Sequence, residues 1–114
     1  MKFENMDVWN KAVDLSCNIY KCSKVIKDFG FKDQITRAGL SVPSNIAEGL
    51  ERNSVKESVN FLSYAKASCA EVYTQLIIGE RISYLNESDV KYLKDECKII
   101  TKMLGALIKA RKTF

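Results

Sequence analysis

The residues of this chain that can do chemistry are few, and their spacing suits binding better than turnover. In the segment Gln34–Arg52, QITRAGLSVPSNIAEGLER, a helical period puts Arg37, Ser41, Ser44, Glu48 and Arg52 on one face. Ile35, Ala38, Val42, Ile46 and Leu50 then fall on the opposite face. A solvated helix face usually carries long charged helix formers, whereas Ser41, Ser44 and Asn45 are short and weak ones. Small polar side chains let another backbone or a ligand come close, and Arg37 and Glu48 can act as an oriented clamp at the two ends. Two readings stand. Either Arg37, Ser41, Asn45, Glu48 and Arg52 receive a partner helix or peptide, or this face is a solvated or intramolecular hydrogen-bonding surface.

The second constellation is basic. Residues 90–114 hold Lys91, Lys94, Lys98, Lys102, Lys109, Arg111 and Lys112 against Asp95 and Glu96, a net of +5. The whole chain carries +4, so residues 1–89 together carry −1. Lys91, Lys94, Lys98 and Lys102 stand three or four apart and form one helical stripe, which can track a phosphate backbone. The bland alternative is a solubilising outer face whose last lysines complement the helix dipole. Zinc-finger, helix-turn-helix and aromatic-rich RNA-binding signatures are absent, so nucleic-acid binding here is led by shape and charge.

Catalysis has little to work with. The chain has no histidine, which removes histidine-based triads, the common zinc sites and the Glu-x-x-His di-iron pattern of ferritin-like bundles. Its five glycines are scattered, without a phosphate-cradling loop. Glu48 and Glu71 can approach Arg37 across two helices, but such a cluster more often fixes packing than catalyses. Cys17, Cys22, Cys69 and Cys97 form no CxxC pair. The last three fall on apolar stripes and read as small buried hydrophobes. No cofactor, metal or small-molecule substrate is expected.

The elements that position these residues are helices. A length of 114 residues suits one domain, with a core large enough to need no staple. With 46% hydrophobic and 28% charged residues the chain is globular. The charged start MKFENMDVWNKAVDL reads as neither signal peptide nor membrane anchor, so the cytoplasm is the expected compartment. The first segment runs from about Asp7 to Lys27 on the seam Val8, Ala12, Leu15, Ile19, Cys22 and Ile26. Asp28-Phe29-Gly30 ends it, and a short second segment follows to about Leu50. Pro43 removes a backbone donor and biases Val42 away from helical geometry, which predicts a kink or break near residues 42–43.

Ser54-Val55-Lys56-Glu57 is a capping box that starts a third helix, expected to reach about Tyr84 on the seam Leu62, Ala65, Cys69, Val72 and Leu76. Asn86 caps the fourth, with Leu85 and Val90 in the staple relation and Asp89 near the positive terminus. Its seam is Val90, Leu93, Cys97, Ile100, Leu104 and Leu107. Four helices with short connections imply an all-α, antiparallel up-down-up-down four-helix bundle over residues 1–114. The third helix also carries Phe61, Tyr64, Ile78 and Ile82 opposite its seam, interleaved with Ser68, Glu71 and Gln75. A helix apolar on two sides is usually buried on two sides, which points to a homo-oligomer interface or to wider cover within a squat bundle.

The pattern QxxRAxxSxPSNIAEGxxR over Gln34–Arg52 resembles the signature of the four-helix bundle proteins encoded in intervening sequences of 23S ribosomal RNA genes. Phe3 with Val8-Trp9-Asn10-Lys11-Ala12, and Phe61-Leu62, Ala65 and Ser68 to Glu71, are similar to further parts of the family pattern. The first loop, Val25 to Phe31, departs from it by lacking the usual Phe-Pro. The resemblance implies a homo-oligomeric ring, typically a pentamer, whose cyclic closure needs two different faces of each subunit to meet. It also implies an association with ribosomal RNA, and a relation to accessory bundles of retroelement reverse transcriptases. The favoured expectation is a non-catalytic bundle binding structured RNA or a nucleoprotein through the fourth helix. The alternative is a protein adaptor docking its partner on the polar face of the second, without nucleic acid.

Overall fold

Three of the four α-helices begin where the sequence supplies a side-chain acceptor for the orphan amide groups of a first turn; the first, which follows Met6, does not. In the computed structural model, which describes residues 1–113, a 3-10 turn at Lys2–Asn5 leads into α1 (Asp7–Ser23), α2 (Phe29–Glu51), α3 (Val55–Arg81) and α4 (Glu87–Thr113). The Asp28 carboxylate accepts from the Phe31 amide at 3.1 Å, Ser54 Oγ from the Glu57 amide at 3.1 Å, and Asn86 Oδ1 from the Asp89 amide at 2.8 Å. The Ser54 and Asn86 caps are the ones the sequence announces, and Leu85 and Val90 flank the second as buried residues. The described residues contain no strand, and none of their helices is long and apolar enough to cross a membrane.

Three elements depart from the sequence reading, and the third helix is one of them, ending at Arg81 and not at Tyr84 because the chain turns at Ser83. Helix α1 stops at Ser23, not Lys27, and only Ile26 of the following residues turns back into the core. Helix α2 is neither short nor broken: it spans 23 residues and stays helical through Pro43. The reason is packing on both sides of the proline. Val42 and Ile46 are fully buried, Pro43 is itself buried, and Gly39 lies so close to α1 that an added Cβ would stand 3.0 Å from Ile19 Cδ1. Burial of this face outweighs the roughly 3 kcal/mol that an interior proline costs a helix.

The core is continuous and follows the four seams: Leu15 and Ile19 from α1, Ile35, Val42 and Ile46 from α2, Leu62, Val72 and Leu76 from α3, Leu93, Ile100 and Leu104 from α4. Helix α3 is the central element, packed on α2 along one flank and α4 along the other. Contacts that rise along α2 fall along α3, from Ser41 with Ser68 to Arg52 with Phe61. The described chain is an elongated body of 45 × 21 × 20 Å, the length of its longest helices.

Helices α2 and α3 come close together at Gly49. A Cβ there would lie 2.9 Å from Leu62 Cγ and 3.0 Å from the Ser58 carbonyl oxygen. The buried Ser58 hydroxyl donates to the Gly49 carbonyl at 2.7 Å and accepts from Arg111 Nε at 3.0 Å, tying α2, α3 and the end of α4 together. The α3–α4 turn is the other tight point. Ser83 sits at φ 63°, and the amides of Tyr84 and Leu85 both donate to the Gly79 carbonyl, at 2.8 and 3.1 Å.

Glycine to alanine normally stabilises a helix interior by about 0.5–1 kcal/mol, and this chain holds a matched pair for separating that effect from packing. Gly105 in α4 has open space where a Cβ would go. Gly105→Ala therefore raises the urea midpoint. Gly49→Ala lowers it, by about 1–3 kcal/mol in stability, because the Ser58 backbone and the branch point of Leu62 have no room to give. Equal shifts for the two variants would contradict this account of the α2–α3 contact.

Candidate nucleic-acid and partner surfaces

The polar face of α2 is largely partnered within the molecule. Arg37 Nε pairs with Asp33 at 2.9 Å and Arg52 Nη2 with Glu48 at 2.9 Å, both one turn apart on an exposed or half-exposed surface. The clamp expected from Arg37 and Glu48 is thus divided into two local ion pairs, each closer than the three helical turns between them allows. Such surface pairs contribute little stability. Asn45 Nδ2 donates to the carbonyl and the hydroxyl of Ser41, both at 2.9 Å, and Ser41 Oγ meets Ser68 Oγ of α3 at 2.9 Å. Ser41 and Asn45 are half-buried and Ser41 is bonded to α3, whereas Ser44 is exposed and lies toward α1, beside Trp9 and Cys17.

The outer row of α3 continues this surface. Phe61, Tyr64, Ser68, Glu71, Gln75, Ile78 and Ile82 recur three and four apart, with a polar centre and apolar ends. Tyr64 is 54%, Ile78 45% and Ile82 47% exposed, so the single chain leaves both apolar ends largely uncovered. The Arg52 guanidinium carbon lies 4.6 Å from the centre of the Phe61 ring, and Phe61 meets Tyr64 edge-on at 5.7 Å. The structure therefore joins the two residue sets that the sequence separated along one α2–α3 surface, with Arg52 against Phe61 at one end and Ser41 against Ser68 farther along. Glu71 makes no ion pair with Arg37 among the described residues.

The basic row of α4 lies on the other flank of α3. Lys91, Lys98, Lys102, Lys109 and Lys112 are exposed and Lys94 is half-buried. No lysine of α4 comes within ion-pair distance of a carboxylate among the described residues. Glu80, Glu87 and Asp95 share the surface around Lys91, Lys94 and Lys98 without pairing with them. Arg111 differs from the lysines. It points inward, donating to Ser58 and, at 3.5 Å, to the Arg52 carbonyl, so its charge is spent on the fold.

Tyr73, which sequence reasoning passed over, sits between α3 and the lysine row. The ammonium groups of Lys94 and Lys98 lie 5.4 and 5.9 Å from the centre of its ring. A signal existed in the sequence, since Tyr73 is one residue beyond the seam position Val72 on the helix that faces α4. Beneath it the two buried cysteines meet. Burial pushes the Cys69 thiol up to about 11, and burial together with the neighbouring Cys69 pushes Cys97 up to about 12, so both stay neutral. Cys17 is exposed and Cys22 half-buried, with burial raising the Cys22 thiol also. Among the described residues no group of three or more metal-ligating side chains comes together.

At the opposite end, the Tyr84 hydroxyl donates to Asp28 Oδ2 at 3.0 Å and its ring meets Phe31 edge-on at 5.3 Å. The Phe31 amide and then this hydroxyl hold the Asp28 carboxyl below its usual range, and Tyr84 is raised in turn by Asp28. These groups cap α2 and pin the α3–α4 turn to it.

Known proteins share this arrangement. The family model described as 23S rRNA-intervening sequence protein matches residues 4–106. A crystal structure of a protein with unknown function from the S23 ribosomal protein family of Bacteroides thetaiotaomicron VPI-5482 is similar at a TM-score of 0.83 and 26% identity, covering 90% of this chain and 98% of that one. No curated protein matches. A family match over nearly the whole chain places this chain in the 23S rRNA-intervening sequence protein family.

Proposed function

We propose that this protein is a non-catalytic, up-down-up-down helical bundle that assembles with copies of itself and binds structured RNA, or a nucleoprotein, through the lysine row of α4. The observation that carries the reading is the set of lysines at 91, 94, 98 and 102, aligned on one face and unpaired with carboxylates among the described residues. A row of free cations on a rigid helix suits a phosphate backbone, and burying no base edge it gives affinity without sequence readout. The family description names a ribosomal RNA setting, and the solved relative's description names a ribosomal protein family, both in keeping with an RNA partner. Assembly uses the α3 outer row, where Phe61, Tyr64, Ile78 and Ile82 present apolar surface on a helix already buried along its other side. Repeating the lysine row around a closed assembly, a pentamer by resemblance to the family, multiplies its contacts with one RNA.

Each half of the reading has its own test. In fluorescence anisotropy with a labelled structured RNA, the triple charge reversal Lys94→Glu, Lys98→Glu and Lys102→Glu weakens binding on the order of a hundredfold, while Arg37→Ala and Glu48→Ala leave it unchanged. The reverse pattern would move the function to the α2 face as a protein-docking site. For assembly, light scattering gives a multiple of the chain mass for the wild type and a single-chain mass for Tyr64→Glu combined with Ile78→Glu. A wild type of single-chain mass would refute it.

A further inference from the structure

Between α3 and α4 lies a groove of about 520 Å³, inside the size range of small-ligand sites. It exists because the crossing is built from small side chains. Cys69 and Ala70 of α3 line it together with Cys97 and Thr101 of α4, all smaller than the leucines and isoleucines that fill much of the core. Tyr73 and Ile99 form its mouth, Ile99 being 41% exposed, and Lys98 and Lys102 stand on its rim. The floor is apolar: the two thiols are neutral, and the Thr74 hydroxyl is already spent on the Ala70 carbonyl at 2.9 Å. A slot with an aromatic wall, an apolar floor and a cationic rim fits a flat, apolar body attached to an anion.

We propose that this groove receives one unpaired base of the bound RNA, stacked against Tyr73, while Lys94, Lys98 and Lys102 hold the phosphates on either side of it. The proposal rests on the RNA reading above and adds which part of the RNA is recognised. The length of the basic row selects this occupant over a single-headed anion such as a fatty acid. From Lys91 to Lys102 the helix rises roughly 16 Å, which spans several phosphates and far exceeds one headgroup. The lysines near Tyr73 do not block the ring. At 5.4 and 5.9 Å from its centre they lie at the outer reach of a cation–π contact, on flexible stems that follow a phosphate as the base enters. Because every base has a face that can stack on the Tyr73 ring, the groove reads the presence of an unstacked base and not its identity.

The test compares an RNA hairpin, carrying 2-aminopurine in an unpaired loop, with a blunt RNA duplex of equal length. Both are titrated against the full chain and against Tyr73→Ala and Tyr73→Trp, with folding checked by circular dichroism. The wild type prefers the hairpin by about tenfold and quenches the 2-aminopurine. Tyr73→Ala brings hairpin binding down to the duplex level without changing duplex binding, and Tyr73→Trp retains both preference and quenching. Equal binding of hairpin and duplex by the wild type, or a hairpin preference that survives Tyr73→Ala, overturns the groove proposal while leaving the lysine row as the RNA site. Failure of both RNAs to bind overturns the two together, and oleate binding in the groove under those conditions would assign it to a fatty-acid anion instead.

Discussion

The contact on which the rest of this structure depends is the approach of α2 to α3 at Gly49. Absence of a side chain there lets the Ser58 hydroxyl reach the Gly49 carbonyl and leaves its oxygen free to accept from Arg111. Three helices are thereby fixed at one buried polar point, in surroundings where an unsatisfied group costs about 1–3 kcal/mol. The consequences spread along the molecule. Arg111 ties the carboxyl-terminal end of α4 to both α3 and the end of α2. The same approach places Arg52 over Phe61 and lets Ser41 meet Ser68 farther along the pair.

Helix α3 is therefore the organising element. Its seam fills the core, its outer row joins the α2 polar face in one surface, and Tyr73 meets α4 on its remaining side. Twenty-seven residues of one helix serve three neighbourhoods, and this explains a composition that is apolar on more than one side. It also separates the two candidate functions in space. The apolar ends of the α3 outer row and the α4 lysine row lie on different sides of the bundle.

Much of this was legible in the sequence because it is written locally. The seam positions in all four helices, the Ser54 and Asn86 caps and the burial of Cys69 and Cys97 follow from periodicity and short-range hydrogen bonding. The family was legible too, in a motif whose residues now have physical roles: Asn45 holds Ser41, Ser41 bridges to α3, Gly49 permits the close approach, and Arg52 covers Phe61. What the sequence hid was non-local. Pro43 carries a local signal for a break, and only the burial of Val42, Pro43 and Ile46 against other helices overrides it. Arg111 looks like one more cation of the basic row until Ser58, 53 positions away, is brought beside it. Arg37 and Glu48 share a face at a distance that lets nearer neighbours take both charges. The groove at Tyr73 is a gap between helices, and no spacing within one helix encodes it.

The central claim is that α4 presents its free lysines to phosphate. The measurement that tests it most directly is the salt dependence of RNA binding. If four lysines each displace a counterion, the logarithm of the binding constant falls against the logarithm of salt concentration with a slope of about −3 or steeper. That slope becomes shallower by about one for each of Lys94, Lys98 and Lys102 replaced by alanine. A slope near zero, or one that these replacements leave untouched, would contradict the account and show that the basic row only keeps the protein in solution.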